Sequence, residues 1–327
     1  MVTQKILITP RTFGVADAEP LEYLEKLGYE IVMNPYGRLL TEAELIEHAH
    51  DVDGIIVGLD PITKDVMDAA KKLKVISKYG VGIDNIDVDY ATSLGIPITN
   101  TPGTNNTAVA ELTMGLILDV ARQISHSFRK ICRGEWERSQ GLELGDKVLG
   151  LIGTGQIGKE VARLAKAFRM DIVCYDIYPD APWAEEMGAK YVPLHELLST
   201  SDIISLHLPL CNGTKHLISS AELALMKPTA IIINTARGGV VDEDALYQAL
   251  QDKTIAGAGL DVFETEPPFG SPLINLDNVV MTSHIGSHTS DSITRMGWLA
   301  VKNLVAELSG HRAEFVVNRE VGEKGLK

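Results

Sequence analysis

Residues 147–176, KVLGLIGTGQIGKEVARLAKAFRMDIVCYD, decide how this chain folds. An apolar run of strand length, residues 148–152, leads directly into the glycine-rich turn GTGQIG at 153–158. Apolar residues then recur at helical spacing up to Met170, and a second apolar run ends on Asp176. The order strand, glycine turn, helix, strand and acid is the dinucleotide-binding pattern in the context that it requires. The stretch therefore predicts a Rossmann domain.

Each part of this pattern has a physical task. Gly153 permits a tight turn, Gly155 lets backbone N–H groups approach a pyrophosphate, and Gly158 lets the helix pack against the strand. The N–H groups and the dipole at the start of the helix favour a bound diphosphate. Asp176 is suited to accept hydrogen bonds from ribose hydroxyls and would repel a 2′-phosphate, and residues 177–180 (IYPD) contain no Arg or Lys. The sequence therefore favours NAD over NADP.

Length and composition indicate a globular protein of about two domains, since the chain has 327 residues, 45% of them hydrophobic and 23% charged. The net charge of −14 argues against nucleic acid or an anionic membrane as the main partner. The three cysteines show no metal-binding spacing, so no metal is expected. The first residues resemble a strand rather than a signal peptide, and no segment has the length of a membrane span. We expect a cytoplasmic protein.

Residues 1–100 alternate strand and helix patterns without a glycine fingerprint, which predicts a second doubly wound parallel sheet of the flavodoxin-like type. Turn residues cluster at 100–104, where we expect the chain to cross into the Rossmann domain. The apolar helical pattern at 108–131 predicts one long helix, and its apolar face suggests burial against a second copy in a homodimer.

Further strands at 202–208, 229–234, 255–262 and 278–284 would complete the Rossmann sheet. A helix at 291–308 and the segment 314–318 would return to the first sheet. The predicted architecture is α/β, with an NAD-binding Rossmann domain (102–289) inserted into a flavodoxin-like substrate domain (1–101 and 290–327). A ligand is expected in the cleft between them, near the carboxyl ends of strands.

Candidate catalytic residues follow successive strands of the Rossmann domain. Hydride transfer to a ketone needs a proton donor, and histidine, with an ordinary pKa near 6.5, is suited to that task. His284 follows the apolar run 279–281, and a nearby carboxylate such as Glu266 would favour its protonated form. Arg237 follows another apolar strand, and a guanidinium fork suits a substrate carboxylate. Singly, each could be structural, but their common placement favours a functional site.

The chain is similar to the D-isomer-specific 2-hydroxyacid dehydrogenase family, and within it to the phosphoglycerate dehydrogenases in a short form without a regulatory domain. The matching stretches run nearly end to end: 78–85 (KYGVGIDN), 107–111 (TAVAE), 153–158 (GTGQIG), 234–238 (NTARG), 259–263 (GLDVF), 266–267 (EP) and 284–286 (HIG). Together they are far more diagnostic than any one motif.

The resemblance implies a role for each matching residue. His284 would be the acid/base, Glu266 its partner, and Arg237 the residue that binds the substrate carboxylate and polarises the carbonyl. Cofactor contacts are implied for Gly153, Gly155, Gln156, Ile157, Gly158, Asp176, Leu208, Thr235, Ala236, Asp261 and Gly286. Substrate contacts are implied for Lys78, Tyr79, Gly80, Val81, Gly82, Arg138 and Arg237.

The substrate implied by the resemblance is a small anionic 2-hydroxy or 2-keto acid, with the pair 3-phosphoglycerate and phosphohydroxypyruvate of serine biosynthesis first. Lys78 and Arg138 could hold a phosphate. However, Asp60 stands in a loop where phosphoglycerate enzymes commonly present an arginine, which disfavours a phosphorylated ligand.

Several alternatives stay open at this point. Glyoxylate or hydroxypyruvate reduction and phosphite oxidation could use the same three residues, whereas Glu266 speaks against formate oxidation. Corepressors of this fold retain the same constellation and sense NAD without turnover, so a binding protein is also considered. A methyltransferase could share the glycine turn but would not need Arg237, Glu266 and His284.

Overall fold

The computed structural model describes residues 3–321, which form two compact α/β units. The first unit comprises both ends of the chain, up to Asn105 and from His288, and the second runs from Asn106 to Ser287. In chain order the described strands are β1 (Lys5–Ile8), β2 (Glu30–Met33), β3 (Gly54–Val57), β4 (Val75–Lys78), β5 (Ile98–Thr99), β6 (Val148–Ile152), β7 (Asp171–Tyr175), β8 (Ala189–Tyr191), β9 (Ile203–Leu206), β10 (Ile231–Asn234), β11 (Gly257–Leu260) and β12 (Val279–Met281).

The helices surround these strands. In chain order they are α1 (Glu19–Lys26), α2 (Glu42–Ala49), α3 (Lys64–Ala69), α4 (Val88–Ser93), α5 (Asn106–Arg122), α6 (Ile124–Cys132), α7 (Gln156–Ala167), α8 (Ala181–Met187), α9 (Leu194–Thr200), α10 (Ser220–Leu223), α11 (Glu243–Gln251) and α12 (Ser290–Leu308), with a short 3₁₀ helix at Pro272–Asn275.

The first unit is a five-stranded parallel sheet in the order β2-β1-β3-β4-β5. This is the flavodoxin-like order. The central strands β3 and β4 are buried along their whole length, as expected for a sheet covered on both faces. The predicted return of residues 314–318 is found here, because Val316 bridges to Thr99 and Asn318 accepts the N–H of Ile98.

The second unit is a seven-stranded parallel sheet in the order β12-β11-β10-β9-β6-β7-β8. The chain starts at the central strand β6, winds outward through β7 and β8, and then returns through β9 to the other side. This winding is the Rossmann order, so the predicted fold class is confirmed. The reversal beside β6 creates the crevice at which such sheets bind ligands.

The prediction of one long helix at 108–131 is wrong. Gln123 adopts a left-handed conformation with a φ of 53°, which separates α5 from α6. The carboxylate of Asp119 caps the new helix by accepting from the N–H of Ser125 at 2.7 Å and from its hydroxyl at 2.5 Å. Helix α5 buries its apolar side chains within the second unit, whereas α6 buries none of its residues.

Candidate active site

The glycine turn after β6 combines two different kinds of glycine. A Cβ atom on Gly158 would lie 2.2 Å from the carbonyl oxygen of Gly153, so this position has no room for a side chain. A Cβ on Gly155, the residue that precedes α7, would meet nothing within 4 Å. Gly158 is therefore required by packing, whereas the space at Gly155 is open for a bound group to approach the backbone.

The other residues expected around this turn lie close to it. Gly153 has a φ of 97°. A Cβ atom added to Gly153 would lie 2.9 Å from the side chain of Leu208. Gln156 is exposed in the first turn of α7, where its side chain accepts from Asn106 at 2.8 Å. Ile157 packs on the apolar core below α7. The open turn and the start of α7 therefore fit a dinucleotide pyrophosphate.

Asp176 lies directly after β7 and is firmly held. Its Oδ2 accepts from the N–H of Thr154 at 2.7 Å and from the Thr154 hydroxyl at 3.0 Å, while Oδ1 accepts from the N–H of Tyr178 at 2.9 Å. Burial acts to raise the pKa of Asp176, but these donors outweigh it and hold the pKa below its usual value. The carboxylate is therefore ionised at neutral pH and stays partly exposed at the edge of the sheet.

The turn after β10 fixes Thr235, Ala236 and Arg237. The side chain of Asn234 accepts from the N–H of Ala236 at 3.0 Å and donates to the carbonyl of Arg237 at 2.8 Å. The hydroxyl of Thr235 lies 2.8 Å from that of Thr113 on α5. A Cβ on Gly238 would lie 1.9 Å from the carbonyl oxygen of Phe263, so only glycine permits this close approach to the neighbouring loop.

Asp261 organises the loop that carries His284. This carboxylate is 1% exposed, and it accepts from the hydroxyl of Thr282 at 2.5 Å and from the N–H groups of Ile285 and Gly286, both at 2.8 Å. The carbonyl of Asp261 accepts from the N–H of His284 at 2.9 Å. His284 adopts a left-handed conformation with a φ of 53°, a costly geometry that these contacts stabilise.

His284 and Glu266 form a hydrogen-bonded pair. Nδ1 of His284 lies 2.8 Å from Oε2 of Glu266, and Oε1 of Glu266 accepts from the N–H of Phe263 at 3.1 Å. Burial acts to raise the pKa of Glu266, but His284, the N–H of Phe263 and the charge of Arg237 outweigh it and lower the pKa. The structure thus brings Arg237, Glu266 and His284 into one electrostatic environment.

In the first unit, the loop after β4 exposes backbone donors. The carbonyl of Gly80 accepts from the N–H of Thr101 at 3.0 Å, and the carbonyl of Val81 accepts from the side chain of Asn100 at 2.9 Å. The N–H groups of Val81 and Gly82 have no hydrogen-bond partner among residues 3–321. Such adjacent N–H groups can bind an anion.

Tyr79, for which the resemblance implies a substrate contact, has its side chain in the interior of the first unit. Its ring packs edge-on against Phe13, its hydroxyl donates to the carbonyl of Ile293 at 3.2 Å, and burial raises its pKa to about 12. Tyr79 is therefore part of the core of the first unit.

Lys78, for which the resemblance also implies a substrate contact, lies in the interior of the first unit. The residue is 3% exposed, and its ammonium donates to the carbonyl of Gly58 at 2.5 Å and to Oδ1 of Asn85 at 2.7 Å. Asp60 is fully buried and accepts from Thr9 and Leu40, so its charge does not face the loop surface, and the predicted effect of this acid on a phosphorylated ligand is not supported. Lys78 therefore connects loops inside the first unit.

Arg138 is exposed in the irregular segment that follows α6.

The residues that sequence reasoning missed are the polar groups that hold the site: Thr154, Tyr191, Asn234 and Thr282. Of these, only Asn234 had a local signal, because an Asn directly after an apolar strand is typical of a side chain that bonds the following turn.

No group of three or more His, Cys, Asp or Glu side chains between residues 3 and 321 is placed to hold a metal ion. No helix in that range is both long and apolar enough to cross a membrane.

Comparison with known proteins places this site in a family context. Residues 114–286 match the family model described as D-isomer specific 2-hydroxyacid dehydrogenase, NAD binding domain. The cofactor of the second unit is therefore NAD, as predicted from Asp176.

Relatives match over most of the chain. A D-3-phosphoglycerate dehydrogenase of Methanocaldococcus jannaschii is 47% identical over 85% of this chain, which spans only 54% of that relative. A glyoxylate reductase of Thermococcus litoralis is 42% identical over 92% of this chain and 94% of its own length. The structure of a D-lactate dehydrogenase from Aquifex aeolicus, complexed with NAD and lactic acid, superposes with a TM-score of 0.83 at 31% identity, covering 97% of this chain and 99% of that one.

Proposed function

Because this chain belongs to the D-isomer-specific 2-hydroxyacid dehydrogenases, we propose that it reduces a small 2-keto acid to the D-2-hydroxy acid and catalyses the reverse oxidation. The observation that carries the proposal is the pair of His284 and Glu266 beside the positive charge of Arg237. When bound, NADH supplies the hydride that adds to C2 of the keto acid.

The residues of the second unit would hold the cofactor along the carboxyl edge of the sheet. The backbone around Gly155 and Gln156 binds the pyrophosphate, and Asp176 binds the adenosine ribose. Asp261 is 1% exposed and accepts from the N–H groups of Ile285 and Gly286, so in this proposal it fixes the backbone at the nicotinamide end of the site. Thr235 and Ala236 lie in the neighbouring turn, which contributes to the same end of the sheet.

His284 is the proton donor in this proposal. Its Nδ1 is engaged by the ionised Glu266, so the proton that protonates the substrate oxygen leaves from Nε2. Glu266 orients the ring and stabilises the imidazolium between turnovers. In the oxidation direction, Nε2 accepts the hydroxyl proton as the hydride leaves C2.

Arg237 binds the substrate carboxylate and polarises the carbonyl in this proposal, because a guanidinium combines a fixed charge with a two-pronged donor. In the first unit, the N–H groups of Val81 and Gly82 have no hydrogen-bond partner between residues 3 and 321 and are by themselves suited to bind an anion. The guanidinium of Arg237 would select 2-keto acids over neutral ketones.

An unphosphorylated acid such as glyoxylate or hydroxypyruvate fits better than phosphohydroxypyruvate. Lys78, which could have paired with a phosphate, is 3% exposed and is bonded to Gly58 and Asn85 instead. In the loop after β3, the exposed side chain is that of Leu59, which is 47% exposed and carries no charge for a phosphate. Phosphoglycerate oxidation is the second candidate, favoured by the 47% identical relative.

The test is the loss of NADH absorbance on addition of glyoxylate, hydroxypyruvate, 2-ketobutyrate or phosphohydroxypyruvate. We expect saturable turnover with at least one unphosphorylated acid and a lower kcat/KM with phosphohydroxypyruvate. The opposite ranking would favour the phosphoglycerate reading. NADH binding without turnover of any acid would overturn the proposal. It would favour phosphite oxidation or a binding protein, and an assay with phosphite would distinguish between these two.

We also propose a homodimer formed through α6. Ile124, Phe128 and Ile131 recur on one side of this helix and are 55%, 66% and 56% exposed. Contiguous exposed apolar side chains of this kind indicate an association surface. Sedimentation should give a dimer for the wild type and a monomer for Phe128→Glu, with Arg133→Gln, which changes the net charge by the same amount, as the control. A wild-type monomer at micromolar concentration would contradict the proposal.

A further inference from the structure

Tyr191, the last residue of the edge strand β8, connects the glycine turn with the segment after Asp176. Its hydroxyl oxygen lies 2.7 Å from the hydroxyl oxygen of Thr154 and accepts from the N–H of Asp180 at 3.1 Å. The hydroxyl of Thr154 in turn donates to Oδ2 of Asp176 at 3.0 Å. Three polar groups from separate parts of the chain thus form one continuous path to the Asp176 carboxylate.

The direction of these hydrogen bonds follows from the number of protons. An ionised carboxylate only accepts, so the single hydroxyl proton of Thr154 is committed to Asp176. The contact between Thr154 and Tyr191 therefore requires the Tyr191 hydroxyl to be the donor. The Tyr191 oxygen then accepts from the N–H of Asp180, so all donors in the path point toward Asp176.

The surroundings keep this path in one arrangement. Thr154 is 5% exposed, and the ring of Tyr191 packs on the apolar core beside α7. Asp180 accepts from the ammonium of Lys159 at 2.5 Å and from the N–H of Trp183 at 3.2 Å, which fastens the segment that follows Asp176. A hydroxyl that lost its partner in such a place would be costly, so the path is maintained as a unit.

We propose that Tyr191 is a positioning residue for the cofactor, because its hydroxyl fixes the Thr154 hydroxyl and thereby the orientation of the Asp176 carboxylate that receives the adenosine ribose. This inference rests on the proposed role of Asp176. It predicts that a residue on an edge strand, without a place in any glycine fingerprint, sets part of the affinity for NADH. Because these hydrogen bonds already fix the Asp176 carboxylate, less conformational entropy is lost when the ribose binds to it.

The test compares Tyr191→Phe, Thr154→Val and the double variant, with NADH affinity measured by nucleotide fluorescence in the absence of any acid. Tyr191→Phe should raise the Kd for NADH about 2- to 10-fold, the range of one net hydrogen bond. In the Thr154→Val background the same change should have almost no effect, because the path is already broken. The matched control is Tyr175→Phe, since the Tyr175 hydroxyl has no hydrogen-bond partner between residues 3 and 321 and its removal should leave the Kd unchanged.

Further readouts separate positioning from general destabilisation. At saturating NADH the kcat of Tyr191→Phe should stay within about twofold of the wild type, because His284 and Glu266 are untouched. An unchanged Kd for Tyr191→Phe, or an equal increase in both backgrounds, would overturn the inference. Asp176→Ala tests the premise separately, since an unchanged Kd there would refute the role of Asp176 itself. A wild-type protein that binds NADH but turns over no keto acid would refute only the proposed reaction.

Discussion

Nδ1 of His284 lies 2.8 Å from Oε2 of Glu266, although the two residues belong to different loops, one after β12 and one after β11. Asp261 makes this meeting possible, because its backbone and carboxylate hold the segment around His284. The pair therefore depends on the geometry of the sheet edge rather than on residues adjacent in sequence.

Removal of the carboxylate partner should impair proton transfer. Glu266→Gln keeps the shape of the side chain but removes the charge that stabilises the imidazolium, so we expect kcat for reduction to fall about 10- to 100-fold at neutral pH. The Kd for NADH should stay within about twofold, because Glu266 is not among the proposed cofactor contacts. Steady-state kinetics and a fluorescence titration measure the two quantities, and a variant with wild-type kcat would exclude Glu266 from the proton-transfer step.

The two kinds of glycine in the turn should separate stability from cofactor binding. Gly158→Ala places a Cβ at 2.2 Å from the Gly153 carbonyl, so we expect the free energy of unfolding to fall by about 1–3 kcal/mol or more. Gly155→Ala meets nothing within 4 Å and should cost at most about 1 kcal/mol, while the Kd for NADH rises at least about tenfold. Denaturant melts and NADH titrations test both variants. A Gly155→Ala protein that binds NADH like the wild type would refute the pyrophosphate assignment.

Asp176 should determine the choice between NADH and NADPH. An ionised carboxylate with a lowered pKa repels a 2′-phosphate, so Asp176→Ala should reduce the ratio of kcat/KM for NADH to that for NADPH by about 10- to 100-fold. Glu186→Ala, at an exposed position of α8, makes the same change in net charge away from the proposed ribose position and serves as the control. Equal ratios in the wild type and Asp176→Ala would show that another group discriminates the cofactors.

His207 should make the protein less stable in acid. Burial lowers the pKa of His207 to about 3, whereas an unfolded histidine has a pKa near 6.5. Between these values the unfolded chain binds a proton that the folded one does not, so the free energy of unfolding falls as the pH decreases from about 6.5 to about 3. His207→Gln should reduce this slope in urea melts across that range, with His50→Gln as an exposed control. An unchanged slope in His207→Gln would contradict the prediction.

The parts of the fold that follow from local pattern were predictable. The apolar runs and the glycine turn specify β6, α7 and β7, and the same alternation continues through α12. The two parallel sheets follow because strands that alternate with helices pair in parallel. His284 and Arg237 are predictable because each lies within four residues of the end of an apolar run.

Tertiary contacts decided the rest. No local signal marks Gln123 as left-handed, and the helix breaks there because Asp119 caps the helix that follows. A lysine is rarely buried, so the sequence predicts Lys78 as a possible phosphate ligand, but Gly58 and Asn85 supply acceptors for it inside the first unit. The link from Tyr191 to Thr154 arises only once β8 lies beside β7.

The turnover of His284→Ala shows whether His284 is the proton donor. NADH affinity and kcat should be measured on the same preparation, with the best 2-keto acid from the panel and with His216→Ala as the control. We expect His284→Ala to bind NADH within about threefold of the wild type while kcat falls by at least about 100-fold. A His284→Ala protein that binds NADH and keeps most of its turnover would show that His284 is not the proton donor.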